Sequence, residues 1–403
     1  MKNQNNKTLF IVAAGSGGHI LPALVLGQAW QRENPSGKIV FIGSSSSLDV
    51  KILATHKYIS QTILLNIDKF SVKKFWLYPK ILFQVIRALI NSFKQVFRYK
   101  PEKIICTGGL IALPVSIAAR LAGIPVELHE LNVEPGKAVT ILMPFASRIF
   151  ITFSQSKKLC KFFGFDFSHK CELVKYPIRF TEQDKRCDKL MVFERINARR
   201  NPSIHQNGLY PEPESRGQGE RQYKNGARTE PVEVHEHTAS SCPQFSSTRK
   251  TIFILGGSQG SVFLNNLFKK FIETQPTIAN SIQVIHQAGP ISAYNQTNWP
   301  EFYQKLQIPA MTFSYDEKIQ DYYAISDLII CRAGAGTLFE IDFFQKPCLI
   351  IPLVAQTTDH QIHNALAMAE KQPELFHVLT QKQVTENFDL FSDMILRILV
   401  QSR

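Results

Sequence analysis

Phe10-Ile11-Val12-Ala13-Ala14-Gly15-Ser16-Gly17-Gly18-His19 is an apolar run that stops abruptly in small residues. A run with so little alternation suits a strand buried on both faces, and Ser16 suits the cap of a following helix. A second stretch, Ile252-Phe253-Ile254-Leu255-Gly256-Gly257-Ser258-Gln259-Gly260, repeats the plan about 240 residues later. A strand that closes in glycine and opens a helix presents backbone N–H groups to an anion. Two such units predict an α/β protein with two Rossmann-like, doubly wound parallel-sheet domains facing across a cleft.

Short apolar runs alternate with helical patterns around both turns. Strands are expected at 8–13, 38–42, 103–106, 125–128, 149–152 and 171–174, and again at 251–255, 282–286, 309–313, 327–331 and 348–352. Such alternation predicts crossover helices on a parallel sheet. The domains are expected at 1–180 and 250–403, with the last helix a candidate to pack back on the first domain. Residues 181–249 are polar and proline-punctuated, with little apolar periodicity after Ile196. Such a composition buries too little surface to offset its ordering entropy, so a disordered insert beside an interdomain linker is expected.

The 403 residues carry a net charge of +13, which calls for an acidic partner. The excess is local. Residues 69–103 hold nine Lys or Arg against the single acid Glu102, interleaved with Phe70, Phe75, Trp76, Tyr78, Phe83, Phe93 and Phe97. Rings that enter a headgroup layer beside lysines that meet phosphates suit an anionic membrane surface, with Lys69, Lys73, Lys74, Phe75, Trp76 and Phe83 as the associating residues. The bland alternative is a core helix with a solvated basic face. Leu110 to Leu128 is apolar, but Pro114, Arg120, Gly123 and Pro125 argue against a membrane span. The polar lead Met1 to Lys7 runs directly into a strand, so no secretory signal is expected. Seven scattered cysteines form no Cys-x-x-Cys pair and read as reduced thiols.

Position 20 is Ile rather than glycine and no Walker lysine follows, which removes dinucleotide redox and P-loop phosphoryl chemistry. His19 falls in the first helical turn, where the dipole favours a neutral imidazole suited to a general base. In Cys331-Arg332-Ala333-Gly334-Ala335-Gly336-Thr337-Leu338-Phe339-Glu340 a strand again ends in small residues and opens a helix. There Glu340 suits ribose hydroxyls, unless Thr337 and Glu340 merely form a capping box. His360 and His363 have metal-ligand spacing but no nearby carboxylate pair or cysteine partner, so no metal site is expected.

Taken together, Gly15 to His19, His129-Glu130-Leu131-Asn132, Pro177-Ile178-Arg179, Gly256 to Gly260, His286-Gln287-Ala288-Gly289, Arg332 to Glu340, and His360-Gln361 with Asn364-Ala365 resemble the MurG family of glycosyltransferase family 28. The resemblance runs from about Thr8 to Ala367, outside the insert. It implies a GT-B fold and inverting transfer of N-acetylglucosamine from UDP-GlcNAc to the 4-hydroxyl of an undecaprenyl diphosphate-linked muramoyl-pentapeptide. It implies no cofactor, no metal and no nucleic acid, a peripheral place at the cytoplasmic face of the inner membrane, and cell-wall synthesis proteins as partners. By position, His19 would be the base. Ser16, Gly17 and Gly18 would line the site near the sugar and the acceptor diphosphate. Asn132 and Gln361 would meet the donor sugar, and Arg179 and Ser258 the UDP phosphates. Residues Ala335, Gly336, Thr337, Leu338, Phe339 and Glu340 would bind phosphate and ribose, with backbone near Tyr315 and Asp316 at the uracil.

The chain departs from the family pattern at Ala14 and Ser16, at Leu110 and Ala112, and in the length between Arg179 and Ser258. Two other readings stand beside this one. They are a diacylglycerol-type GT-B transferase, and a membrane-docked scaffold whose catalysis the insert impairs.

Overall fold

A computed structural model describes residues 7–401 apart from 16, 47–49, 51–52, 54–55, 57, 69–75, 77, 201–242, 258–259, 291–296 and 354–359. Packing divides the chain into two compact units, Met1–Glu182 with Ile330–Arg403, and Gln183–Ile329.

All six residues of β1 (Thr8–Ala13) are buried. Leu9, Ile11 and Ala13 join one core with Ile20, Leu24 and Trp30. Phe10 and Val12 join another with Val115, Ala118 and Leu128. Successive side chains leave a strand on opposite faces, so a strand covered on both sides reads as an unbroken apolar run. β2 (Lys38–Gly43), β3 (Gln61–Leu64), β4 (Lys103–Gly108), β5 (Val126–Glu130), β6 (Arg148–Ile151) and β7 (Cys171–Leu173) complete a seven-stranded sheet in the order β3-β2-β1-β4-β5-β6-β7. Every pairing in it is parallel. The order reverses between β1 and β4, and ligands of such sheets collect at the carboxyl ends of the strands there. Gly15 after β1, and Gly108 and Gly109 at the end of β4, lie at that point.

Helices α1 (Gly17–Glu33), α2 (Tyr78–Tyr99), α3 (Ala112–Leu121) and α4 (Lys137–Leu142) connect these strands. α2 is apolar on two sides. Ile81, Ala88 and Val96 are buried, while Leu82, Phe83, Ile86, Ile90 and Phe97 form an exposed ridge. Phe83 is 66% exposed and Trp76 is 62% exposed, so neither belongs to the core. Lys69, Lys73, Lys74 and Phe75, the other expected membrane residues, lie outside the described residues. No described helix is long and apolar enough to cross a membrane.

Residues 189–200 differ from the sequence expectation. They form α5 (Lys189–Arg200), with Val192, Phe193 and Ile196 buried. Arg195 pairs with Asp321, and Arg199 lies 2.7 Å from Asp316. Two of the polar residues that gave the segment a disordered composition, Arg195 and Arg199, are thus spent on ion pairs, and residues 189–200 are helical. Residues 201–242, the rest of it, lie outside the described residues.

β8 (Lys250–Leu255), α6 (Val262–Thr274), β9 (Ile282–Gln287), α7 (Trp299–Lys305), β10 (Ala310–Phe313), α8 (Ile319–Ile325), β11 (Leu328–Cys331), α9 (Ala335–Phe344), β12 (Cys348–Ile350), α10 (His360–Lys371) and β13 (Phe376–Val378) build the second sheet and its helices. Its order is β10-β9-β8-β11-β12-β13, with parallel pairing at β8–β9, β9–β10 and β12–β13. β3 and β13 were not expected. β3 is a mostly exposed edge strand and β13 has three residues, so neither carries a readable apolar run.

Candidate active site

Gly17 opens α1 and Gly18 is exposed at its start; Ser16 lies outside the described residues. His19 follows, half-buried against β4. Its Nδ1 lies 2.8 Å from the carbonyl oxygen of Thr107, and the Thr107 hydroxyl donates to the His19 carbonyl at 2.8 Å. A carbonyl only accepts, so Nδ1 must carry the proton, which leaves the Nε2 lone pair as the basic site. Burial holds the imidazole pKa below its ordinary value, partly opposed by the Thr107 carbonyl, so the ring is neutral near pH 7. Burial thus favours the same neutral form that the helix start was expected to favour.

A cavity of about 260 Å³ is lined by Ala14, Gly15, His19, Gly108, Gly109 and Lys137, among others. Gly108 has φ +127°, and a Cβ there would come within 3.0 Å of the imidazole Cε1 and Nδ1. The glycine is thus what lets the ring seat on Thr107. Gly108→Ala should force the ring aside and lower turnover about tenfold to a hundredfold, the cost of a misplaced reacting group. Steady-state rates alongside a melting curve check this, and an unchanged rate would remove the seating role.

The loop after β5 is organised by a buried carboxylate. Glu130 Oε1 accepts from the Asn132 backbone N–H at 2.8 Å and from Asn132 Nδ2 at 3.2 Å, and Oε2 accepts from Gly136 N–H at 3.0 Å. Burial raises its pKa to about 7 against these bonds. The Asn132 side chain is bonded at both ends, since its Oδ1 also accepts from Asn364 Nδ2 at 3.1 Å.

Gly334 is the N-cap of α9, and no side chain caps that end. The capping box of Thr337 and Glu340 is not formed. Glu340 instead accepts from Arg179 Nε at 3.0 Å, so the residues assigned to ribose and to phosphate are neighbours. Ala335, Gly336 and Thr337 form the first turn, where backbone N–H groups suit an anion. Leu338 and Phe339 are buried side chains, Phe339 stacking on Tyr176 at 4.7 Å between ring centroids. The Tyr176 hydroxyl crowds Gly336, where a Cβ would come within 3.0 Å of it.

Gln361, on α10, points its Oε1 at two backbone donors, Ala333 N–H at 3.2 Å and Leu353 N–H at 2.9 Å. Glu134 Oε2 lies 3.5 Å from His360 Nδ1 and 3.2 Å from His363 Nδ1. No group of three or more side chains among the described residues is arranged to hold a metal ion.

Arg332 was missed as a site-building residue. Its guanidinium bonds the Ile351 carbonyl at 3.0 Å and the Pro352 carbonyl at 3.4 Å, fixing the end of β12. Burial brings its pKa down to about 10.

In the unit of residues 183–329, Ser258 and Gln259 lie outside the described residues. The glycines around them are constrained. Gly260 has φ +74° and a Cβ there would collide with the Ala288 carbonyl oxygen. That carbonyl accepts from Asn265 Nδ2 at 3.0 Å, Asn265 Oδ1 lies 3.0 Å from His286 Nε2, and Tyr303 OH lies 3.0 Å from His286 Nδ1. This buried chain gives the His286 ring and the Ala288 carbonyl of that motif their structural partners. Tyr315 is exposed, whereas the Asp316 carboxylate is committed to Arg199, Tyr322 and the Lys318 N–H.

The glycosyltransferase family 28 N-terminal domain matches residues 9–151, and the glycosyltransferase family 28 C-terminal domain matches residues 251–390. The UDP-N-acetylglucosamine--N-acetylmuramyl-(pentapeptide) pyrophosphoryl-undecaprenol N-acetylglucosamine transferase of Carboxydothermus hydrogenoformans is 26% identical over 359 residues. That alignment covers 89% of this chain and 81% of the relative. The protein of the same name from Trichlorobacter lovleyi is 27% identical over 364 residues, covering 90% of this chain and 83% of its own. Among solved structures, Acinetobacter baumannii MurG shares the fold, with a TM-score of 0.60 at 17% identity over 98% of this chain and 91% of that one. With both of that family's domains present in order, the chain belongs to glycosyltransferase family 28.

Proposed function

We propose that this chain transfers N-acetylglucosamine from UDP-GlcNAc to the 4-hydroxyl of an undecaprenyl diphosphate-linked N-acetylmuramoyl-pentapeptide, with inversion. The observation that carries the chemistry is the fixed tautomer of His19. With Nδ1–H held by Thr107, Nε2 takes the proton of the acceptor hydroxyl as its oxygen attacks the anomeric carbon. The new carbon–oxygen bond forms on the face opposite the one that breaks, and UDP leaves with the bonding electrons. Backbone N–H groups of the 335–337 turn and the Arg179 guanidinium meet the charge that develops on the diphosphate. Glu340 accepts from the ribose hydroxyls, and the Gln361 amide nitrogen donates to the sugar. The glycine-lined cavity beside His19, with Lys137 on its rim, suits the acceptor diphosphate.

The acceptor hangs from a bilayer, and the ridge on α2 supplies the approach to it. Exposed Phe83, Ile86 and Ile90 stand beside Arg87 and Lys94, so apolar surface and cations face the same way around a groove of about 680 Å³. This fits peripheral docking on an anionic leaflet at the cytoplasmic face. Phe83→Glu should weaken binding to phosphatidylglycerol-containing vesicles about tenfold or more, given the apolar area one ring buries. Vesicle sedimentation checks it, and undiminished binding would move the docking surface elsewhere. For the transfer itself, UDP release that depends on the lipid-linked acceptor is the expected result. UDP release at the same rate with and without acceptor would overturn the reading.

A further inference from the structure

Between β6 and β7 the chain makes a two-stranded antiparallel hairpin, in which Lys161 faces Asp166 and Phe162 faces Phe165. The Phe167 N–H donates to the Cys160 carbonyl at 2.9 Å and extends the ladder by one pair. Side chains alternate along a strand and opposed residues share a face. Cys160, Phe162, Phe165 and Phe167 therefore form one apolar face. Its base is covered, since Cys160 is buried in the core beneath α3 and α4, and the hairpin packs on α4. Towards the tip the cover runs out. Phe162 is half-buried, Phe165 is 70% exposed, and Phe163, at the turn, is 85% exposed.

The turn carries strain. Phe163 and Gly164 have φ +47° and +81°, the left-handed values that one class of two-residue hairpin turn requires at both central positions. Glycine and asparagine adopt them readily, whereas a bulky aromatic does not. The Phe163 ring meets Phe162 at 4.5 Å between centroids, yet most of it lies in solvent, so packing within the chain does little to offset that backbone. Strained backbone under an exposed aromatic is found where a ligand or a surface is met.

Charge and position indicate which surface. Residues 157–170 hold four lysines and one acid, Asp166. Lys170 turns inward onto the Ala146 carbonyl at 2.8 Å, but Lys157, Lys158 and Lys161 stay exposed. Along the chain of contacts α2 packs on α3, α3 on α4 and α4 on the hairpin, and all four contribute to one core on one side of the sheet. The hairpin thus ends the layer that the α2 ridge begins. A flat anionic surface laid on that layer suits both ends, whereas a protein groove would have to span it.

We propose that the 161–166 hairpin is a second membrane-contact element. It seats Phe163 and Phe165 in the headgroup layer of an anionic leaflet while Lys157, Lys158 and Lys161 meet lipid phosphates. This role rests on the reading of the α2 ridge as membrane-facing. A single helical ridge leaves the first sheet free to roll about the helix axis, and a second contact at the far end of the layer stops that roll. The hairpin thereby holds the cavity beside His19 at a set tilt to the bilayer.

Sedimentation of the full chain with phosphatidylcholine vesicles, with and without phosphatidylglycerol, tests this. Phe163→Asn is the sharpest variant, because Asn accepts the positive φ that Phe resists. Its affinity for phosphatidylglycerol vesicles should fall about tenfold, the worth of one ring's apolar area, while its melting temperature equals or exceeds the parent's. Lys157→Gln with Lys158→Gln should lower that affinity about tenfold or more at low salt and leave binding to pure phosphatidylcholine unchanged. Phe163→Trp, read against the parent, should add emission that lipids brominated near the headgroup quench. A tip that serves the fold alone gives the opposite pattern, and Phe163→Asn then melts lower and binds vesicles as the parent does. That result overturns the proposal. Added emission from Phe163→Trp that no lipid quenches overturns it as well and leaves the tip to a protein partner. Phe83→Glu separates the two readings: if it loses vesicle binding while the hairpin variants keep theirs, the α2 reading stands and the hairpin role falls. A parent chain that binds no phosphatidylglycerol vesicle overturns both.

Discussion

Replacing His19 by Ala should lower turnover by about two to four orders of magnitude, the usual worth of a positioned general base. Binding of UDP should stay within a few-fold of the parent, since that contact is proposed for the 334–340 segment. His19→Asn sharpens the test. Its amide N–H can still donate to the Thr107 carbonyl, but it offers no basic nitrogen where Nε2 stood. If His19 acts as the base, Asn is as poor as Ala; if it serves only to tie α1 to β4, Asn restores most of the rate. The pH dependence follows from the same geometry. Burial lowers the pKa of His19, so the active neutral form predominates at and above its ordinary value of about 6.5 and is lost as pH falls below that. The acid limb of kcat/KM should lie below pH 6.5 and be absent from His19→Ala. A limb at or above that value would assign it to another group.

Glu340→Ala should raise the KM for UDP-GlcNAc about tenfold to a hundredfold while changing kcat less. A carboxylate that accepts from two ribose hydroxyls is worth roughly 1.5–3 kcal/mol per charge-assisted bond. Part of that loss is offset, because Arg179, paired with Glu340 at 3.0 Å in the parent, is released from that carboxylate. Glu340→Gln keeps the shape and one acceptor, so its KM should fall between those of Ala and the parent. Steady-state kinetics with varied donor settle the split. An unchanged KM in Glu340→Ala would leave the Arg179–Glu340 pair with a structural role alone.

Much of the scaffold was readable because burial on both faces leaves a plain signature. β1, β4, β8, β9 and β11 are short apolar runs, and the turns after β1 and β8 announce themselves by glycine. Elements whose residues are spent on polar partners were not readable. α5 looked disordered because its arginines serve Asp316 and Asp321, more than 100 residues away. The ridge on α2 could be inferred from one-signed charge among aromatics, but which rings face out depends on the stripe of Ile81, Ala88 and Val96 against the sheet.

The site divides the same way. His19 was visible from its place after a glycine turn. What fixes its tautomer, the carbonyl of Thr107 at a separation of 88, is a property of sheet order. Arg179 and Glu340 were each singled out, yet their pairing across 161 positions was not. For Gln361 and Asn132 sequence indicated importance but not manner. Oε1 of Gln361 is taken by backbone, and the Asn132 amide is bonded at both ends. Side-chain roles that depend on which lone pair is already occupied are invisible until partners from distant strands are known.

The most direct test is transfer by the full chain, residues 201–242 included, from radiolabelled UDP-GlcNAc in vesicles that offer either the undecaprenyl diphosphate-linked muramoyl-pentapeptide or diacylglycerol. The expected product is one β-linked N-acetylglucosamine on the muramoyl 4-hydroxyl, and none on diacylglycerol. Label found only on diacylglycerol, or vesicle binding with no transfer to either acceptor, would contradict it.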